Sequence, residues 1–560
     1  MKSLPLLDIR NLSVNFDSDQ RSLTVVDNIS FRLNEAETLA VVGESGSGKT
    51  VTALAVLRLI PSPPGTISNG EIMFRSGDKP AEDILRLDES AMQQLRGRSI
   101  SMIFQEPMTS LNPVFTCGDQ VRESLWTHLG FTKKQAYEKV LDLFNEVKLP
   151  EPANVFKAYP HQLSGGQKQR VMIAMAISCS PAVLIADEPT TALDVTVQKT
   201  ILELMKSLQQ SRKMSILFIT HDLGLVKGFA DRVLVMHKGR VVEEGTITDI
   251  FLSPQDPYTR GLLACRPPLD IRLTRLPTIE NYLKEEQAEP NLVVTKVQRT
   301  QDHERLYSQK PILEIKNLGK RFGSFIALQK AGFFVYPGET LGIVGESGSG
   351  KTTLARVVLE LIPATEGKII YQDQDITKLT AAKLKMLRKD LQIIFQDPYS
   401  SLNPRMAIGP AILEPMKVHR LHRNDSTRKA RVIELLEKVG LKPEHYFRYP
   451  HEFSGGQRQR ICIARSLAVE PRLIICDESV SALDVSIQAQ VLNLLNELKR
   501  DFGLTYIFIS HDLSVVKYMS DRLIVMKNGK IEEMGEADEV YANPQSEYTR
   551  TMLAAIPGNR

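Results

Sequence analysis

The sequence predicts an α/β fold laid down twice, as two tandem domains that each carry a mostly parallel core sheet. Three observations support this. The letters GESGSGKT stand at Gly43–Thr50 and return at Gly345–Thr352, 302 residues apart. Further blocks repeat at a spacing of 290: LSGGQKQR from Leu163 with FSGGQRQR from Phe453, ADEPTTALDV from Ala186 with CDESVSALDV from Cys476, and THDL from Thr220 with SHDL from Ser510. Short apolar runs alternate with helical patterns around these blocks, as in a buried parallel sheet.

TLAVV before Gly43 and TLGIV before Gly345 are short apolar runs suited to buried strands. TVTALAVLRLI and TTLARVVLELI follow as helices. AVLIA and RLIIC, then SILFIT and TYIFIS, read as further buried strands, and QRVMIAMAI has helical character. The spacing falls by twelve between the blocks because the first half has extra residues, mostly in the polar stretch Arg75 to Asp88, a surface-loop insertion. The tails also match, as PYTRGLLA from Pro257 and EYTRTMLA from Glu547. These repeats place the domains at 1–265 and 311–560. The intervening 266–310 is rich in Pro and charge and reads as a linker, with room for a short pairing segment at NLVVTKV.

At 560 residues the chain is too long for one core. It is 42% hydrophobic and 24% charged, and its net charge of +4 argues against a dedicated nucleic-acid binder. No stretch approaches the roughly 18–20 apolar residues of a membrane span, since Val171 to Ala186 is broken by Ser178, Ser180 and Pro181. The N-terminal stretch, with Asp8 and Arg10, has no signal-peptide core. Cys117, Cys179, Cys265, Cys462 and Cys476 form no CxxC pair, which fits a reducing, cytoplasmic setting.

The pattern G-x-x-x-x-G-K-T is met by Gly43, Gly48, Lys49 and Thr50, with Glu44, Ser45, Gly46 and Ser47 between them. It is met again by Gly345, Gly350, Lys351 and Thr352, with Glu346, Ser347, Gly348 and Ser349. Such a loop aims backbone N–H groups at phosphate oxygens, its Lys supplies charge to the β- and γ-phosphates, and its Thr hydroxyl reaches Mg²⁺. ATP and Mg²⁺ are therefore the expected ligands. Asp187 and Asp477, at strand ends, are placed to hold the metal, and Glu188 and Glu478 to take a proton from water. Solvated acidic strand ends are the alternative. Ser164, Gly165, Gly166 and Gln167, with Ser454, Gly455, Gly456 and Gln457, offer a second anion cradle at a helix start. A plain Ser N-cap would explain the serines but not the repeated Gly-Gly-Gln.

Taken together, the loop, SGGQ, DE, ALD and HD blocks resemble the ATP-binding cassette of ABC transporters over nearly all of both halves. The resemblance implies an antiparallel β subdomain and a helical subdomain beside each core sheet. It implies two cassettes meeting head to tail, with each ATP between one P-loop and the other cassette's SGGQ, and Asp194 and Asp484 crossing between them. It makes His221 and His511 γ-phosphate switches, with catalytic roles beside Glu188 and Glu478. It gives Gln105 and Gln396 a place at Mg²⁺, beside Thr50, Asp187, Thr352 and Asp477, and at the membrane partner. Adenine stacking falls to Phe16 and Phe322, although LSVNF alternates like a strand and Phe16 suits a core equally. QEPMTSLNP, QDPYSSLNP and the YTR tails are similar to the peptide and nickel importer branch. The fused pair is most similar to glutathione-importer ATPases.

That implies two membrane permease subunits, a periplasmic or extracellular solute-binding protein, and a peripheral place on the cytoplasmic face of a bacterial inner membrane. Other oligopeptides, microcin-like peptides or nickel are alternative cargoes, and a soluble twin-cassette ATPase acting on ribosomes is an alternative class. Two departures stand out. Ser479 replaces the Pro that follows Glu188, so the second backbone is expected to be less constrained. Cys265 alone cannot ligate the iron–sulfur cluster that some relatives carry in their tails.

Overall fold

The computed structural model describes residues 5–18, 21–77, 79–105, 110–191, 193–284, 293–481 and 483–556. They fall into two compact units. One comprises Met1–Leu193, Val197–Leu263 and Tyr282–Lys284; the other comprises Asp194–Thr196, Ala264–Asn281 and Glu285–Arg560.

The strands of the first unit are β1 (Leu7–Ser18), β2 (Arg21–Leu33), β3 (Thr38–Val42), β4 (Gly65–Phe74), β5 (Glu82–Asp83), β6 (Ile100–Ile103), β7 (Val183–Asp187), β8 (Ser215–Thr220), β9 (Arg232–His237) and β10 (Arg240–Thr246). They form a six-stranded sheet of order β10-β9-β3-β8-β7-β6 and a four-stranded antiparallel sheet of order β2-β1-β4-β5. In the larger sheet only β10 runs antiparallel. All five residues of β3 and of β7 are buried, as expected of strands covered on both faces. Ile9, Leu12 and Val14 of β1 pack with Leu39 and Val41 of β3 and with Ala53 and Val56 of the helix Lys49–Val56. Each large side chain buried this way contributes about 1.5–3 kcal/mol. Helices Cys117–Leu129, Lys133–Glu146, Pro152–Lys157 and Gly165–Ile177 pack together as the helical part.

The second unit repeats the plan with β11 (Leu313–Phe322), β12 (Phe325–Val335), β13 (Thr340–Val344), β14 (Glu366–Tyr371), β15 (Gln374–Asp375), β16 (Leu391–Ile394), β17 (Leu473–Asp477), β18 (Thr505–Ile509), β19 (Arg522–Lys527) and β20 (Lys530–Glu536). Its sheets have orders β16-β17-β18-β13-β19-β20 and β12-β11-β14-β15.

Two expectations about local structure need correction. The helices after the glycine-rich loops are shorter than their apolar runs. They end at Val56 and Val358, and Arg58 (φ 50°) and Glu360 (φ 52°) then turn left-handed ahead of Pro61 and Pro363. The extra residues of the first half are only partly in the β4–β5 turn. Residues 75–81 join those strands, where the second unit uses Gln372 and Asp373, both at positive φ as a tight hairpin requires.

The segment 266–310, read as a linker, carries the helices Ile279–Leu283 and Lys296–Tyr307, and Leu273 pairs with Val293. NLVVTKV begins outside the described residues, at Asn291 and Leu292. The segment combines buried Leu276 and Ile279, spaced too sparsely to make an apolar period, with polar contacts to the second unit. Asn493 accepts the Leu276 N–H and donates to the Leu276 carbonyl, both at 2.8 Å. Arg272 and Arg299 each reach Asp538 at 3.0 Å, and Arg299 also donates to the Asp521 carbonyl at 3.0 Å.

Asp521 is the hub of this region. It accepts from the Thr340 N–H at 2.8 Å and from Lys499 Nζ at 3.1 Å, and His303 lies 3.7 Å away. Burial alone would push its carboxyl up; the Lys499 charge, His303 and the Thr340 amide outweigh burial and hold it well below the usual carboxylate range. A carboxylate depressed in the folded state stabilises fully above its unfolded pKa, near 3.9, and loses that contribution as pH falls towards the folded value. Asp521→Asn should therefore destabilise the second unit by about 3 kcal/mol at pH 7. In calorimetry the gap to the parent should narrow between pH 5 and pH 3. A gap unchanged at pH 3 would mean that ionisation of Asp521 is not what stabilises the region.

Candidate functional site

Parallel strands finish at the same edge of a sheet, and crevices for ligands open there. In the first unit β3 runs into Gly43, β7 ends on Asp187 and β8 ends on Thr220 beside His221, with β3, β8 and β7 adjacent. Gly43, Asp187 and His221, 144 and 34 positions apart in the chain, thereby meet in one cluster; Gly345, Asp477 and His511, 132 and 34 apart, repeat it because β13, β18 and β17 are adjacent in the same way.

The loop Gly43–Gly48 passes from β3 into the helix Lys49–Val56. Gly48 is the N-cap at φ 98°, and Gly350 repeats it at 102°, a conformation that favours glycine. Ser45 and Gly46 form the exposed tip, as do Ser347 and Gly348, while Ser47 and Ser349 are buried. Lys49 Nζ is buried and donates to the carbonyls of Gly43 and Glu44, both at 2.8 Å. Lys351 does the same to Gly345 and Glu346, at 2.7 and 2.9 Å. Burial pushes the Lys351 ammonium below its usual range, against the pull of Glu478, Asp194 and Asp477.

These residues fit a phosphate and a hard cation. A Cβ at Gly46 or Gly348 would meet nothing within 4 Å, so the loop tips are open. The Ser349 hydroxyl is buried with no hydrogen-bond partner among the described residues. Thr50 Oγ1 donates to Asp187 Oδ1 at 3.2 Å, and Thr352 to Asp477 at the same distance; hydroxyl and carboxylate oxygens suit Mg²⁺. Burial lifts Asp187 to about 6, despite the Thr50 hydrogen bond and Lys49, and lifts Asp477 likewise. A divalent cation beside these oxygens would favour the ionised form.

Glu188 has φ 45° and Glu478 49°, left-handed turns in which their N–H groups still reach the carbonyls of Ile219 and Ile509 at 2.9 Å. Glu188 accepts from Gln105 Nε2 at 3.0 Å and from the Thr191 hydroxyl at 2.9 Å, and its other oxygen lies 3.2 Å from His221 Nδ1. Burial alone would raise the Glu188 carboxyl; the His221 hydrogen bond and charge, then Thr191 and Lys49, bring it down to about 2. Glu478 accepts from Gln396 Nε2 at 2.8 Å and lies 3.5 Å from His511 Nδ1. Here too burial is overcome by His511 and Lys351, so Glu478 is lowered, while its carboxylate raises His511 despite burial.

With Ser479 in the place of Pro189, Glu478 keeps the φ of Glu188 within 4°. The difference lies two residues on. Ser481 Oγ donates to the Glu478 backbone carbonyl at 2.9 Å, whereas Thr191 grips the Glu188 carboxylate. The sequence singled out neither residue.

The SGGQ blocks lie elsewhere on each unit. Ser164 caps the helix Gly165–Ile177 in a reciprocal box: its Oγ accepts the Gln167 N–H at 3.3 Å and its N–H donates to Gln167 Oε1 at 3.0 Å. Ser454 and Gln457 repeat the box at 3.3 and 3.1 Å. Local capping thus accounts for the glutamines as well as the serines, which the N-cap alternative did not foresee. A Cβ at Gly166 would sit 2.8 Å from Val197, and one at Gly456 2.3 Å from Ile487, so the second glycine is needed for helix packing. The first, Gly165 or Gly455, has ordinary room.

Phe16 packs, half-buried, against the core of the first unit. Phe322 is exposed at the end of β11, with Lys320 Nζ 4.9 Å from its ring. Of QEPMTSLNP, residues 106–109 lie outside the described set, as does Ala192 of ALD.

The comparisons with known proteins give the family. The ABC transporter family model matches residues 26–191 and 328–481, and that of the oligopeptide/dipeptide transporter C-terminal region matches 242–291 and 533–560. The chain is 49% identical over 571 residues to the glutathione import ATP-binding protein GsiA of Shigella dysenteriae, covering 99% of this chain and 89% of that one. It is 48% identical over 569 residues to GsiA of Salmonella typhimurium, covering 100% and 90%. With two matched cassettes, each bearing a P-loop and a glutamate-bearing strand end, the chain belongs to the ATP-binding proteins of the ABC transporter family and is an ATPase.

Proposed function

We propose that this ATPase powers import of glutathione or short peptides through two separate membrane permease subunits, with cargo delivered by a periplasmic or extracellular solute-binding protein. The observation that carries the reading is the joint match of both cassettes and both tails to relatives named for glutathione import, over nearly the whole of either chain. No helix among the described residues is long and apolar enough to cross a membrane. The chain sits peripherally on the cytoplasmic face of the inner membrane. The oligopeptide-transporter tails also disfavour action on ribosomes. Other short peptides and nickel are the remaining cargoes.

In each unit the loop amides and Lys49 or Lys351 bind the nucleotide phosphates. Thr50 and Asp187, with Gln105, would hold Mg²⁺, as would Thr352, Asp477 and Gln396; bound there, the ion neutralises phosphate charge. Glu188 and Glu478, ionised and oriented by histidine and glutamine, accept a proton from the attacking water. His221 and His511 fix that carboxylate while it takes the proton. Phe16 and Phe322 remain the candidates for the adenine face. Phe322 is the more available, since Phe16 already packs in a core.

Glu188→Gln with Glu478→Gln should cut ATP turnover by about 10²–10⁴ while ATP binding persists. Each single variant should also lose rate. A double variant hydrolysing at the parental rate would remove the glutamates from the chemistry.

Lys49→Ala with Lys351→Ala should abolish growth on glutathione as sole sulfur source and leave growth on sulfate intact. The readout is uptake of labelled glutathione in a strain lacking other importers. Normal uptake there would exclude this cargo and favour another peptide.

A further inference from the structure

The tails make a contact with the phosphate loop that the chemistry above does not use. In the first unit Glu243 of β10 accepts the N–H groups of Gln255 (2.7 Å) and Asp256 (3.1 Å), which fixes where the helix Pro257–Ala264 begins. The second residue of that helix, Tyr258, is 1% exposed. Its phenol oxygen accepts the N–H of Glu44 at 3.1 Å and donates to Glu44 Oε2 at 3.4 Å. Its ring stacks on His237, the last residue of β9, with centroids 4.0 Å apart and planes at 10°.

The second unit builds the same device. Glu533 of β20 accepts from the N–H groups of Gln545 (2.8 Å) and Ser546 (3.0 Å), and Tyr548 of the helix Glu547–Ala554 accepts the Glu346 N–H at 3.2 Å. Lys527 replaces the histidine, its Nζ 4.5 Å from the Tyr548 ring.

Glu44 and Glu346 stand where each strand ladder ends and the loop begins. A partly buried N–H there needs an acceptor that the sheet no longer supplies. A phenol on a stacked ring supplies one from a rigid support. The end of β9 and the turn into β10 also meet the loop. The Met236 carbonyl would lie 2.2 Å from a Cβ at Gly43, and the Gly239 N–H donates to the Ser47 carbonyl at 3.1 Å. A loop held by the tail helix and by the β9–β10 turn has less ordering to undergo when phosphate arrives, and preorganisation of that kind raises affinity.

We infer that Tyr258 and Tyr548 are positioning residues for nucleotide binding, through which the tail helix of each unit clamps its own phosphate loop. The clamp acts through the backbone of Glu44 and Glu346 and touches no reacting atom. It ties the tail region to affinity for ATP rather than to the rate of chemistry.

The test is Tyr258→Phe with Tyr548→Phe, which keeps both rings and removes only the hydroxyls. In nucleotide-free protein, hydrogen exchange at the Glu44 and Glu346 amides should quicken about tenfold, with exchange in β1 and β11 unchanged. The Kd for a fluorescent ATP analogue with Mg²⁺ should rise roughly three- to tenfold, and kcat at saturating ATP should stay within about twofold. Glu243→Gln with Glu533→Gln, which loosens the helix start and leaves the phenols, should shift Kd in the same direction by less; it serves as the test if the first variant fails to fold. A lowered Tm with unchanged Kd and unchanged loop exchange would make the tyrosines merely structural and overturn the proposal. The inference rests on the P-loops being nucleotide sites, so parental ATP binding is measured first; its absence would refute that reading and not the clamp.

Discussion

The constraint on which the rest depends is the alignment of parallel strand ends. Side-chain chemistry at these sites comes from segments far apart in the chain, and no local interaction holds them together. What holds them is the register of β3 with β8 and of β8 with β7, which delivers Gly43, His221 and Asp187 to one edge. The strands keep that register because they are apolar on both faces and are buried between the helices and the antiparallel sheet. The N-terminus of the helix Lys49–Val56 then adds its amides to the same edge. Burial and partners together set the electrostatics: burial lifts Asp187, while His221, Thr191 and Lys49 overcome burial at Glu188 and lower it.

Much of this was legible in the sequence because it is encoded locally. Five-residue apolar runs announced β3, β13, β7 and β17, and glycine spacing announced the phosphate loops. Acidic pairs at strand ends marked Asp187–Glu188 and Asp477–Glu478, the positions proposed to hold the metal and take the proton. What was not legible depended on long-range polar contacts, which leave no periodicity. Arg272, Arg299 and Asn493 hold described parts of 266–310 by charge and hydrogen bonds, which the Pro-rich, charged composition that reads as a linker does not reveal. Thr191 and Ser481 occupy matching places and differ only in where a hydroxyl turns, which no residue pattern reveals. The YTR letters were visible in both tails, but only the fold shows that they lie against Glu44 and Glu346.

The SGGQ blocks show how one short motif meets several demands. The serine and glutamine satisfy each other's backbone at a helix start. The second glycine makes way for Val197 or Ile487. Three of the four letters thus have duties within their own unit, which leaves the first glycine as the position whose identity the local structure does not demand. Repetition of the letters at 454–457 is therefore evidence of a shared fold as much as of a shared ligand.

The supports beneath the two phosphate loops have diverged while the loops themselves have not. One rests on a tyrosine stacked against an imidazole that burial keeps towards its neutral form, the other on a tyrosine beside an ammonium. The eight loop letters are the same in both halves, while the residue beneath the tyrosine is His237 in one and Lys527 in the other. Each half braces the same turn in its own way. Two sites with identical spelling have thereby become mechanically distinct parts, and an exchange of tails between the halves would not be silent.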